Sequence, residues 1–207
     1  MFEQKQDGSS GYIITPVPDR SDIDTFWTMI IDCHAKYIVL LLQKNEKIFR
    51  FFPSTDLSIN TSEFRVELSS SEKYPNNIFA FILTVWNKEK KTVVQVKLCK
   101  TTDWKFGEEH PSIDTLCTLL DVVCNQEPGM AVLIGSAGVG FPVCGGFGVC
   151  HEVFRALKAG TDFNIMQIVT DLKKKQPNFF QKFEEYNLCY KVIGHFLENE
   201  HVYDVID

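Results

Sequence analysis

The chain has 207 residues, 44% of them hydrophobic, with 17 Phe and 3 Trp, which is enough apolar material for one domain with a substantial core and too much for a disordered chain. Its 21 basic residues against 27 acidic ones leave a net charge of −6, excluding a broad basic field for nucleic acid phosphates or an anionic membrane surface. Seven cysteines at irregular spacing, with no C-x-x-C pair, exclude a disulfide framework or a zinc site on spacing and point to reduced thiols in the cytosol or nucleus.

Residues 1–11, MFEQKQDGSSG, are polar and lack the apolar core of a signal segment, so we read them as a flexible lead before a single domain over 12–207. Tyr12-Ile13-Ile14-Thr15 predicts a short strand, stopped by Pro16 and Pro18. Ser21 stands as the N-cap of a helix with Asp24 three positions on, a weak capping box, and Ile23, Phe26, Trp27, Ile30 and Ile31 recur at helical spacing. The longest hydrophobic run, 37–42, suits a buried strand and is far short of the roughly 20 apolar residues that a membrane span needs. Strand-like runs follow over 47–52, 63–68, 77–86 and 92–98, separated by polar links such as 69–77. Val94, Val96 and Leu98 alternate with Gln95 and Lys97, the mark of a strand with one wet face. The lysine-rich runs 88–91 and 173–175 read as solvated faces.

A helix is expected over 111–123, capped by Ser112, and a strand over 130–134. The helix expected over about 143–159 contains Gly145, Gly146 and Gly148. Each glycine costs about 1 kcal/mol relative to alanine there, which implies close packing or an irregular first turn. Amphipathic helices over 163–175 and 178–197 close the chain.

Between that strand and helix lies the small-residue loop Gly135-Ser136-Ala137-Gly138-Val139-Gly140. A strand-loop-helix unit of this kind turns successive N–H groups and a helix N-terminus into one hollow, suited to an anion. A nucleotide P-loop needs Lys and Ser/Thr after its last glycine; Phe141 and Pro142 stand there. With Ser-Ala-Gly-Val-Gly intact, 134–143 resembles H-C-S-A-G-V-G-R-T-G, the signature loop of classical protein tyrosine phosphatases. Further stretches resemble that family's motifs in its order: 12–18 is similar to Y-I-A-T-Q-G-P, 24–30 to D-F-W-x-M-V, and 38–42 to its buried strand I-V-M-L. Residues 101–107 are similar to T-x-W-P-D-x-G, 167–173 to V-x-x-L-R, and 181–186 to Q-T-x-x-Q-Y. The resemblance covers roughly 12–197. It implies an α/β fold, a twisted mixed β-sheet flanked by helices on both faces.

It also implies a site stripped of its reaction. The position of the family's nucleophilic cysteine is Gly135, and that of the arginine which clamps phosphate is Phe141. Ile134 and Pro142 replace the neighbouring histidine and threonine. The general-acid aspartate aligns with Lys105, and the glutamine that positions water with Glu185. What the resemblance leaves is a vestigial phosphate loop, Gly135 to Phe141, with Trp104 and Gln181 as further cleft candidates. The family's domain begins earlier, with helices and a tyrosine-bearing wall, so we expect a domain shortened at its front. The expected function is a pseudophosphatase that binds a protein partner, such as a tyrosine-containing or tyrosine-phosphorylated segment, with no cofactor, metal or nucleic acid. Residual hydrolase activity and a purely structural subunit are the alternatives. Asp103 reads as an exposed loop carboxylate, Cys144 and Cys150 as packed residues. His34, His110, His151, His195 and His201 lack ligand spacing.

Overall fold

The computed structural model describes residues 11–54, 57–105, 107–124, 130–135 and 140–203, with the backbone alone at 130, 140–141 and 200–203. All but Gly11 of the expected lead lies outside the described residues. Among these, seven strands are formed: β1 (Tyr12–Thr15), β2 (Ala35–Leu41), β3 (Ser58–Asn60), β4 (Phe64–Tyr74), β5 (Ile78–Asn87), β6 (Val93–Thr101) and β7 (Met130–Gly135). They make one mixed sheet in the order β1-β7-β2-β6-β5-β4-β3. Neighbours from β1 to β6 pair in parallel, and those from β6 to β3 antiparallel. The helices are α1 (Ile23–Asp32), α2 (Ile113–Cys124), α3 (Gly140–Lys158), α4 (Ile165–Lys175) and α5 (Phe183–Tyr203).

The parallel half is covered on both faces, which is why its strands read as continuous apolar runs. Ile38 and Leu40 pack with Phe26, Trp27 and Ile30 of α1. Tyr37, Val39 and Leu41 face the opposite core, built with residues of α2, α3, α4 and α5. Helices therefore flank the sheet on both sides, as expected.

Four local expectations are corrected. Residues 47–52 form no strand; Phe51 and Phe52 are buried as anchors, Phe51 edge-on to Phe26 at 5.3 Å and Phe52 5.7 Å from Phe81. Apolar, β-prone residues here report burial and no ladder, and β3 takes the sheet edge instead, paired with β4. The supposed link 69–77 is mostly strand, because β4 continues past a bulge between Leu68 and Ser70 and pairs with β5 to Tyr74. Asn76 and Asn77, at φ +56° and +52°, make the turn, the left-handed pair that a tight hairpin demands. Ser21 does not cap α1: Asp22 occupies that position, and the Ser21 hydroxyl donates to Asp19 Oδ1 at 2.6 Å. Asp24 instead accepts hydrogen bonds from the Thr61 hydroxyl and from the Glu63 N–H, tying α1 to the start of β4. The last helix starts at Phe183 rather than 178, after the buried pair Phe179 and Phe180.

The expected cap at Ser112 is formed, and the structure adds one at Asn164. Ser112 Oγ accepts from the Thr115 N–H at 3.1 Å, and Asn164 caps α4 through the Gln167 N–H at 3.0 Å. On the face of β6 expected to be wet, Lys97 is buried, its ammonium 5.5 Å from the centre of the Tyr74 ring.

A buried polar network joins β1 to α3. The Tyr12 hydroxyl donates to Glu152 Oε1 at 2.8 Å and lies 2.9 Å from His151 Nδ1. One hydroxyl carries one proton, so with the carboxylate accepting it, His151 Nδ1–H donates back to the tyrosine oxygen. Burial first, and the Arg155 and Lys158 charges after it, lower the His151 pKa from 6.5 to about 4. Between those values the unfolded chain binds the proton and the folded chain does not, so stability is complete above the higher value and falls with pH toward the lower. The full loss is about 3 kcal/mol. Urea unfolding of the wild type and His151→Phe at neutral pH and near pH 4.5 should show a smaller acid loss in the variant, by about 2 kcal/mol; equal losses would remove His151 from this role.

Candidate functional site

The parallel strands set the scene. β7 carries Gly135 to its end beside Leu41 of β2, and α3 begins at Gly140, so the strand and helix stand either side of the expected loop. Ser136, Ala137, Gly138 and Val139 lie outside the described residues, and at Phe141 the helical backbone alone is described.

What fixes α3 is close approach along its first turns. A Cβ on Gly145 would stand 3.1 Å from the Phe179 ring, while Gly146 faces Leu188 and Cys189 of α5 and Gly148 faces Leu133 and Tyr12 on the sheet. The glycines thus serve close packing, against α5 and its approach as well as the sheet. This brings the first turn of α5 against that of α3. Pro142 and Val143, with Lys182, Glu184, Glu185 and Leu188, border a cavity of about 80 Å³ that Glu109 and His110 also line. Glu109 and His110 also border an adjoining groove of about 450 Å³ with Asp103, Lys105 and Glu108. Lys105 and Glu185, expected to share one site, therefore open onto neighbouring hollows. Gly135, Trp104 and Gln181 line neither.

Lys105 is held by its own turn. Its N–H donates to Glu108 Oε2 at 3.2 Å, and its ammonium lies 4.0 Å from Oε1; the pair is exposed to solvent and contributes little. The Glu108 carbonyl accepts from the Trp104 indole N–H at 3.0 Å and from Gln43 Nε2 at 2.9 Å. Trp104 is wholly buried, and its carbonyl accepts from the Lys44 N–H. It is an anchor for the loop and not a cleft wall, because an indole with one donor satisfied is driven inward by its area. Asp103 is exposed, as expected. The hub, Glu108, was not singled out from the sequence; the signal was Gly107, at φ +89°, which permits the tight turn from Lys105 to Glu108.

Glu185 has a local reason to be acidic. Its Oε2 accepts from the Gln181 N–H at 3.1 Å, and with Glu184 it sits in the first turn of α5, where the helix dipole favours negative charge. Gln181 is exposed, its side-chain amide 3.5 Å from Asn178 Oδ1. Among the described residues no group of three or more His, Cys, Asp or Glu could hold a metal ion. His195 Nε2 instead meets Asp114 Oδ1 at 2.9 Å.

All seven cysteines are free. Cys144 and Cys150 are buried in the core between α3 and α5. Burial pushes the Cys144 thiol far up, and Cys150 is raised by its hydrogen bond with Cys189 and then by burial, the reverse of what a thiolate nucleophile needs.

A mixed seven-stranded sheet, with a small-residue stretch of sequence between its parallel strand β7 and a helix packed on it, is the architecture of a phosphatase domain. A family model described as protein-tyrosine phosphatase matches residues 2–195, and the chain belongs to that family. Human tyrosine-protein phosphatase non-receptor type 20 is 27% identical over 188 residues, 88% of this chain and 44% of its own length. Human receptor-type tyrosine-protein phosphatase epsilon is 22% identical over 197 residues, 90% of this chain and 28% of its own. The chain thus spans under half of these relatives. The solved catalytic domain of human protein tyrosine phosphatase non-receptor type 18 superposes with a TM-score of 0.78 at 20% identity, covering 94% of this chain and 72% of that one. That enzyme has also been solved with HER2 phosphopeptides, at a TM-score of 0.77 and 20% identity over 94% of this chain and 69% of that one.

The state of the thiols gives a direct check. In the folded protein Cys144 and Cys150 should resist iodoacetamide at neutral pH and react only after denaturation, as read by peptide mass spectrometry. Native labelling of either at the rate of free cysteine contradicts the packing described.

Proposed function

We propose that this domain is a catalytically inactive member of its family, a pseudophosphatase that serves as a protein-binding or scaffolding module. The observation that carries the reading is Gly135. It ends β7 in the position where the resemblance places the attacking sulfur, and a glycine offers no atom to form a phosphoenzyme. Three further residues support it. Phe141 has no donors to clamp phosphate oxygens, Lys105 has no proton of carboxylic acidity to give a leaving group, and Glu185 adds negative charge where the family carries a neutral amide. Neither Cys144 nor Cys150 is a substitute nucleophile on this reading, since both thiols are buried and raised.

The partner is a protein segment recognised by shape, apolar contact and charge, with little dependence on its phosphorylation. Among the described residues no helix is long and apolar enough to cross a membrane, and with seven free thiols we place the work of the domain in the cytosol or nucleus.

Purified protein should release no more phosphate from tyrosine-phosphorylated peptides than buffer does. Restoring the sulfur alone, as Gly135→Cys, should leave that result unchanged, because catalytic groups act as a unit and the arginine and acid are still missing. Turnover by the wild type above that of buffer overturns the reading, as does a burst of phosphate from Gly135→Cys.

A further inference from the structure

The cavity between the first turns of α3 and α5 has a defined chemistry. Among the described residues, its apolar lining is Pro142, Val143 and Leu188, and its rim carries Glu109, Glu184 and Glu185 against Lys182. His110 Nδ1 lies 2.6 Å from the Pro111 carbonyl, which can only accept, so Nδ1 bears a proton and donates it there. Among the described residues, Glu109 and Glu184 have no hydrogen-bond or ion-pair partner, so their oxygens are open to a ligand. Carboxylates outnumber the Lys182 ammonium three to one among the described residues that line the cavity.

A volume of about 80 Å³ holds a few waters, each needing about 10–15 Å³, or one long side chain. An aliphatic stem fits the apolar lining, and a planar head with several N–H donors matches a rim of carboxylates. A phosphate or carboxylate does not, because it would meet three like charges.

We propose that this cavity takes an arginine side chain from a partner polypeptide. The proposal deepens the reading of the domain as a binding module by naming the chemistry of what it holds: a cation beside the place where the family holds an anion. Guanidinium is favoured over ammonium because its fork reaches two carboxylates at once.

The test is a titration of the isotope-labelled chain with N-acetyl-glycyl-arginyl-glycinamide, followed by amide NMR shifts. Saturable shifts should localise to Val143, Glu185 and Leu188. The citrulline analogue, which has the same shape without the charge, should bind at least about tenfold more weakly, and the glutamyl analogue should not move these amides. The double variant Glu109→Gln with Glu184→Gln should weaken arginine binding at least about tenfold with the remaining spectrum unchanged, whereas Glu198→Gln, farther along α5, should leave it as it was. Three results overturn the proposal: no localised shift at about 50 mM arginyl peptide, a dissociation constant above the scale of one charge-assisted contact; equal binding of citrulline; or tighter binding of a phosphotyrosyl peptide at the same amides. Because the readout is a shift and not phosphate release, a negative result here leaves the hydrolysis test standing, and hydrolysis would leave an arginine site standing.

Discussion

The arrangement of this domain depends on how closely α3 is approached. Gly145 leaves space for the Phe179 ring, and a Cβ there would stand at 3.1 Å, tighter than ordinary packing allows without movement. Three glycines cost the helix about 3 kcal/mol in propensity. Burying Phe179, Leu188 and Cys189 against them offsets that, at about 1.5–3 kcal/mol for each large apolar side chain. With α3 fixed, the first turn of α5 can stand only where it does, and Glu185 is brought to the cavity beside Pro142 by backbone packing rather than by any feature of its own. The Tyr12, His151 and Glu152 network holds the far side of the same helix to β1.

Much of this was legible in the sequence, for physical reasons that differ between elements. Runs 37–42 and 130–134 read directly as buried strands because both faces of the parallel half are covered. Caps at Ser112 and the glycine-rich packing of α3 followed from local chemistry. Phe51 and Phe52 misled because an apolar residue can be buried without a ladder, and 69–77 misled because the exposed end of a hairpin has no need of apolar residues. At the site, Lys105 and Glu185 could be picked out only through the resemblance. Trp104 was misplaced, since a motif gives position in the chain and not exposure. The pairing of Tyr12 with His151, 139 residues apart, leaves no local trace.

Fold and chemistry separate cleanly in this chain. The family's sequence pattern is matched across residues 2–195, while on the proposed reading the atoms that handle phosphate are gone and the charge beside the loop has turned acidic. A binding module that keeps the scaffold and changes the sign of its cleft would select different partners with the same geometry.

The central claim is that the old phosphate hollow no longer holds a phosphate-shaped anion. Loss of a bidentate arginine removes two charge-assisted hydrogen bonds of roughly 1.5–3 kcal/mol each, so affinity should fall by two or more orders of magnitude. Calorimetric titration of the purified chain with orthovanadate measures this directly. We expect no saturable binding tighter than about 1 mM. A micromolar site, abolished by a bulky substitution at Gly138, would contradict the account.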